Sequence, residues 1–509
     1  MIQKSNPVIY SDFPDIDIIR VEDTYYMVST TMHFMPGCSI LKSYDLLNWE
    51  FVGHAYDHLD ETPNQKLETG NIYGQGMWAP SFRYHKGTFY ISFAANDTRK
   101  TYLFTATNPE GPWKKSFIDG FYHDASLLFD DDGRAYLVYG NTTIHLVELE
   151  HDLSGPRLEG LNRILVEDTA DVGLGYEGAH IQKRNGKYYL FLIHWPNFGA
   201  KRRAQWCYIA DSLAGEFTGR CMIDDDLGFH NQGVAQGGMV DTPNGDWYLF
   251  MFQDRGAVGR VPIIIPVDFD EDYPVIKNGS IPSELEVVST RSDYGYMPLN
   301  GSDDFKYGKG QRLKSFWQFN HQPHDDLWSV TERQGAFRLT SAKLSPNLTH
   351  AHNTLTQRTM GQKSAAWVTV DGSYLKEGDY AGICAFQGGY GAIALTKKAE
   401  NYYLVMLNRL ANYEVTMGYV KDIEPAIEQA VIPIKLPITT LKVDVDFEDL
   451  KDEAHFSYYE DNQWKPLGVS HKLHFKLDHF TGCRFGLFLY STKKIGGMAD
   501  FLDFKYSVK

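Results

Sequence analysis

The sequence predicts an all-β protein, a five-bladed β-propeller followed by a β-sandwich. Three observations carry this: a turn-plus-strand motif that recurs five times, the length of the chain, and a second half with strand-like alternation. The 509 residues exceed the roughly 100–200 of an ordinary domain, so two or three domains are expected. The motif reads Asp23-Thr-Tyr-Tyr-Met-Val, Gly87-Thr-Phe-Tyr-Ile-Ser, Gly133-Arg-Ala-Tyr-Leu-Val, Gly186-Lys-Tyr-Tyr-Leu-Phe and Gly245-Asp-Trp-Tyr-Leu-Phe. Each copy is a turn feeding an aromatic, β-rich strand. The shared tyrosines, Tyr26, Tyr90, Tyr136, Tyr189 and Tyr248, are spaced by 64, 46, 53 and 59 residues, about one propeller blade each. Asp132-Gly133, Asn185-Gly186 and Asn244-Gly245 are hairpin-turn sequences. Another strand precedes each turn, and no helical period intervenes; an open sandwich of similar strand count is the alternative.

Composition narrows the partners. Hydrophobic residues make up 43%, enough to fill a core, and the formal charge of -16 argues against nucleic acid, which needs a basic surface. Five scattered cysteines, with no C-x-x-C pair, read as free thiols. No run of about 18 apolar residues is present, so no membrane span is expected. Residues Met1 to Pro7 lack a basic segment followed by an apolar one. That leaves a cytoplasmic protein, or a periplasmic or secreted one whose signal peptide has been removed.

The repeat also locates chemistry. Counting back 11 or 12 residues from the shared tyrosines gives Asp15, Trp78, Asp124, Glu177 and Gln236. Equivalent positions of first strands gather round a propeller axis, so three carboxylates, an indole and an amide should converge. A carboxylate pair across a cleft can hydrolyse a glycosidic bond: one is protonated for the leaving oxygen, the other ionised for water or carbon. A third negative charge favours keeping the acid protonated. Trp78 offers a face for a sugar ring. His33 and Phe34, then His194 and Trp195, follow blade strands and are placed to line the funnel, and Arg260 closes the fifth blade as a candidate substrate contact.

With these motifs the chain resembles glycoside hydrolase family 43. They are Asn6-Pro-Val-Ile, Phe13-Pro-Asp-Ile-Asp, Ser43-Tyr-Asp-Leu-Leu-Asn-Trp, Trp78-Ala-Pro-Ser, His123-Asp-Ala-Ser, Tyr176-Glu-Gly-Ala-His and Gln236-Gly-Gly-Met-Val-Asp-Thr-Pro, over about residues 6–270. The resemblance implies an inverting glycosidase, with Asp15 as general base, Glu177 as general acid, Asp124 raising and orienting the acid, and Arg260 contacting the sugar. No cofactor is required for the chemistry. A structural calcium is implied for some members, often with a fifth-blade histidine; Gln236 stands there instead and His230 lies upstream. Ile16 and Ala179 replace prolines of the family pattern.

We divide the chain into residues 1–265 for the propeller, 266–305 for a linker or wrapping segment, and 306–509 for the sandwich. The alternation Leu441, Val443, Val445, Phe447 marks the sandwich as antiparallel. The motifs Trp317-Gln-Phe-Asn, Asn353-Thr-Leu-Thr-Gln-Arg-Thr and Asp379-Tyr-Ala-Gly-Ile-Cys resemble the concanavalin-like sandwich of one branch of that family. That branch implies removal of terminal α-L-arabinofuranose from hemicellulose side chains or oligosaccharides. β-Xylosidase, endo-arabinanase and a non-catalytic carbohydrate-binding propeller are the alternatives. Long inserts at Tyr56–Gly74 and Leu158–Gly175 point to a blocked, exo-acting pocket.

Overall fold

In the computed structural model, which describes residues 2–410 and 423–509, five four-stranded antiparallel sheets form the propeller. Each blade is built from four strands taken in chain order. Blade I is Asp17–Val21, Thr24–Ser29, Gly37–Ser43 and Glu50–Tyr56; blade II is Met77–His85, Thr88–Ala95, Lys100–Ala106 and Lys114–Ile118. Blade III is Ser126–Phe129, Ala135–Asn141, Thr143–Glu148 and Asn162–Glu167; blade IV is Val172–Arg184, Lys187–Pro196, Ala204–Ala210 and Thr218–Ile223. Blade V is Ala235–Asp241, Trp247–Asp254, Arg260–Asp270 and Tyr273–Ile276. The fifth blade thus takes in residues 266–276, which the sequence reading assigned to the linker.

No blade borrows a strand to close the ring; apolar packing closes it. Each neighbouring pair of blades shares one buried cluster. Ile40 and Phe82 share the cluster between I and II, Leu103 and Leu127 that between II and III, and Val138 and Leu190 that between III and IV. Phe191 and Met239 share the cluster between IV and V, and Phe250 and Met27 that between V and I. Burying such a side chain stabilises by roughly 1.5–3 kcal/mol. Outside the blades, Ile2–Ser5 pairs with Glu284–Val287, and the Asn6 side chain both donates to Ile264 O (2.8 Å) and accepts from Ile264 N (3.2 Å).

The second domain is two antiparallel sheets face to face. One orders Ile427–Ile434, Asn401–Arg409, Tyr390–Lys398, Asp379–Phe386, Arg484–Ser491, Leu355–Arg358 and Gln318–Asn320. The other orders Trp328–Ser329, Ala336–Thr340, Met498–Val508, Lys363–Asp371, Ile438–Asp446, Glu453–Glu460 and Gln463–Pro466. In Ile438–Asp446 the alternation is observed: Leu441, Val443 and Val445 are buried, while Lys442 and Asp444 form an outward ion pair at 2.8 Å. The first sheet does not end in its own domain. The propeller dipeptide Phe34–Met35 adds to its edge, with Phe34 opposite Asn320 and Met35 opposite Phe319. One apolar cluster runs from Phe191 and Ile263 in the propeller to Trp317, Val368 and Phe485 in the sandwich. The five cysteines are free, and Cys221 alone is exposed. Among the described residues no helix is long and apolar enough to cross a membrane.

Candidate active site

The site sits where the first strands of the blades begin. At each start one residue adopts a left-handed backbone: Asp15 (φ 51°), Ala79 (35°), Asp124 (47°), Gly178 (62°) and Gln236 (68°). In blades II, IV and V a bulge accompanies it, with register shifts between Trp78 and Ser81, Glu177 and His180, and Ala235 and Gly238. A bulge kinks the strand and re-aims a side chain. Asp15, Asp124 and Gln236 therefore hold the turned position itself, whereas Trp78 and Glu177 stand one residue before it. Gly178 has a further reason to be glycine: a Cβ there would meet the Gln236 side chain at 2.4 Å.

Asp15, Asp124, Gly178 and Gln236 line one small cavity of about 10 Å³, with Asp17, Ser81 and His180 beneath. This is room for about one water. Asp15 is buried and its Oδ1 accepts from Arg260 Nη1 at 2.8 Å. Burial raises the Asp15 carboxyl above the ordinary aspartate range, Arg260 pulls it back, and Asp124 pushes it up again. Arg260 is buried too, with its Nε and Nη2 unpartnered. Asp12 anchors this corner, accepting from the backbone N–H groups of Arg260 (2.9 Å) and Gly482 (2.8 Å).

Glu177 faces a different set. Its Oε2 accepts from Asn141 Nδ2 and lies 3.4 Å from His123 Nε2, which is 3.6 Å from Asp124 Oδ2. Asp124 Oδ2 also accepts from Gly178 N at 3.2 Å. Burial raises the Asp124 carboxyl, with His123 opposing and Glu177 adding to the rise. Asp124 in turn pushes His123 up to about 9, against burial and with help from Glu177 and Asp15. Beneath, Asp17 is held at about 2: burial raises it, but Arg83, His180 and the Phe82 N–H together outweigh that.

The sandwich supplies a wall. Phe480, on the segment before Arg484–Ser491, lies under the Arg260 guanidinium at 4.2 Å and beside the Trp78 ring at 5.7 Å. Gly482 permits this approach, because a Cβ there would meet Val258 O at 2.2 Å. The Tyr56–Gly74 insert packs on the same segment: Tyr73 stacks on His479 with ring centres 3.8 Å apart, and Gly74 abuts the carbonyls of Leu477 and Asp478. The Leu158–Gly175 stretch is no insert. It is the outer strand of blade III and the start of Val172–Arg184 in blade IV.

Other residues expected at the site lie elsewhere. His33 is fully buried between the domains, against Phe34, Tyr73, His321 and His479. Phe34 is held by its pairing with Asn320 and by the Arg484 guanidinium 3.5 Å above its ring. Both serve the domain interface, because the loop after strand Thr24–Ser29 turns into the sandwich. His194 is buried against Asp168 (2.9 Å) and Tyr176. Trp195 is 37% exposed, two residues past Ile193, which pairs with Glu177, and its Nε1 donates to Lys201 O at 3.0 Å. His123, Asn141 and Phe480 were not anticipated. His123 stood inside a quoted motif; Asn141 and Phe480 carried no signal.

The cavity offers calcium few free oxygens. Two of the three carboxylates lining the cavity are engaged, Asp15 with Arg260 and Asp17 with Arg83 (2.6 Å), whereas calcium takes roughly six to eight oxygen ligands. Among the described residues one trio, His123, Asp124 and Glu177, brings ligand-type atoms within 4.8 Å of one another. His230 points away, its Nε2 2.6 Å from Asp449 in the sandwich.

Residues 4–274 match the glycosyl hydrolases family 43, and residues 302–507 match the beta xylosidase C-terminal concanavalin A-like domain. The chain belongs to glycosyl hydrolase family 43. A beta-xylosidase of Formosa agariphila is 26% identical over 98% of this chain and 90% of its own. A putative beta-xylosidase of Xylanibacter ruminicola is 31% identical over 72% of this chain and 69% of its own. A non-reducing end alpha-L-arabinofuranosidase of Bacteroides ovatus is 26% identical over 67% and 65%. Among solved structures, a bifunctional GH43-CE protein of Bacteroides eggerthii aligns at TM-score 0.90 and 41% identity over 99% of this chain. This chain spans 64% of that one. The family 43 chain is a glycosidase and its substrate is carbohydrate.

Proposed function

We propose an exo-acting, inverting glycosidase that removes terminal α-L-arabinofuranosyl residues from hemicellulose-derived oligosaccharides. The observation that carries this is the division of the carboxyls. Asp15 is locked to Arg260, which favours its ionised form, while Glu177 has Asn141 and His123 on one oxygen only. An ionised base and a donor acid on opposite sides of a sugar are what inversion needs.

In this reading Asp15 takes the proton of a water held in the cavity, and that water attacks the anomeric carbon. Glu177 gives its proton to the departing glycosidic oxygen. Asp124 keeps that proton in place through its nearby charge. The free N–H groups of Arg260 bind sugar hydroxyls, since buried donors seek partners. Trp78 and Phe480 enclose the ring, and Gln236 closes the floor. The wall made by Phe480 and the Tyr56–Gly74 insert supports attack from chain ends.

β-D-Xylosidase activity, alone or as a second activity, is an alternative favoured by the names of the Formosa and Xylanibacter relatives. Nitrophenyl arabinofuranoside and xyloside, assayed side by side, separate the two. Arabinofuranoside should give the higher kcat/KM; a reversed preference overturns that choice. Oligomers released from linear arabinan would overturn exo action.

A further inference from the structure

Glu177 is held asymmetrically. Both nearby donors, Asn141 Nδ2 and His123 Nε2, address Oε2. Among the described residues no donor reaches Oε1. Asn141 ends the second strand of blade III and His123 precedes its first strand, so one blade presents both groups to the acid of the next. We propose that His123 and Asn141 are positioning residues that confine the acidic proton of Glu177 to Oε1 and set the pH at which it is lost. This deepens the proposed function and rests on Glu177 being the acid.

The physical case is one of lone pairs and charge. A protonated carboxyl has one hydroxyl and one carbonyl oxygen. Two N–H donors at Oε2 stabilise that atom as the carbonyl, so the hydroxyl is Oε1, the atom free to face a leaving oxygen. After the proton moves to the leaving oxygen, the carboxylate charge develops beside both donors and is stabilised there. His123 also balances charge. The groups facing it are Asp124 on its own segment, Glu177 on blade IV and Asp15 on blade I. Asp15 already has Arg260, so His123 is the cation that offsets Asp124. Its position, 26% exposed beside the Trp78 ring, lets it respond to the solvent. Without it, the Asp124 charge acts on Glu177 uncompensated, and the acid holds its proton to higher pH.

The test uses the full chain and the variants His123→Gln, His123→Phe and Asn141→Ala. Each is assayed against pH on a dinitrophenyl glycoside, which needs little protonation, and on an oligosaccharide, which needs it. Both His123 variants should move the alkaline limb of kcat/KM upward by about one unit. His123→Phe and Asn141→Ala should lose about 100-fold in kcat on the oligosaccharide but under about 10-fold on the dinitrophenyl glycoside. His123→Gln, which keeps a donor near Nε2, should recover most of that loss. An alkaline limb that stays or moves down in the His123 variants overturns the proposal, as do equal losses on both leaving groups. Glu177→Gln is the separate control. If it retains the wild-type alkaline limb, the acid assignment itself fails, whatever the His123 variants do.

Discussion

Arg260 and Asp15 are the pair on which the chemistry turns at the scale of single residues. In the proposed mechanism Asp15 must be ionised to take a proton from water. Burial raises its pKa and Arg260 lowers it, so removing Arg260 raises it further. Arg260→Met should therefore move the acid limb of kcat/KM up by about one to two units, because activity is lost wherever Asp15 is protonated. A pH–rate profile checks this, and an unmoved acid limb contradicts it. Asp15, Asp124 and Glu177 were legible in the sequence because each stands at a fixed distance before a repeated tyrosine. The count was 11 in one blade and 12 in the others because a bulge adds a residue in blades II and IV and a longer hairpin turn adds one in blades III and V. His33 and Phe34 misled, since a strand-end aromatic looks the same whether it lines a funnel or joins another sheet. Phe480 was invisible, being brought in by a domain whose docking no local pattern encodes.

Between residue and molecule stands the blade. Five first strands must splay from one axis, and polar links pin them there. Asp17 of blade I holds Arg83 of blade II at 2.6 Å, and Arg83 Nη2 reaches Ser126 of blade III (2.7 Å) and Ile181 O of blade IV (3.2 Å). One guanidinium thus ties four blades directly under the carboxylates. Arg83→Met leaves the Asp17 charge buried without its cation, which costs about 3–5 kcal/mol. A thermal melt should show a clear drop in Tm; a Tm within a degree of wild type contradicts the role. The sign with pH is also fixed. Asp17 is held at about 2 in the folded protein, below its ordinary value of 3.8, so its stabilisation is present above that value and fades as pH falls toward 2. Wild type should lose stability through that window faster than Arg83→Met does. The blades were legible because turn and strand alternate with a blade-sized period. The end of blade V was not, because Tyr273–Ile276 is a short outer strand in a stretch rich in Asp and Pro.

At the scale of the whole molecule the two domains work as one body. A propeller dipeptide completes a sandwich sheet, and a sandwich segment completes the pocket. Thermal unfolding should follow one cooperative transition, and two resolved transitions in calorimetry would contradict the shared core. Phe480→Ala should raise KM about tenfold on small glycosides with little change in Tm, since the ring is only partly buried and faces Arg260, Trp78 and Phe475; an unchanged KM would remove the sandwich from the site. The net charge of -16 has a local counterpart here, with Asp15 paired to Arg260 and His123 set between Asp124 and Glu177. The most direct test is the anomer first released, followed by NMR during hydrolysis of the preferred nitrophenyl glycoside. The account predicts the inverted anomer first from the wild type, and turnover of an oligosaccharide reduced by about 100-fold or more in Glu177→Gln. The retained anomer first, or undiminished turnover in that variant, would contradict it.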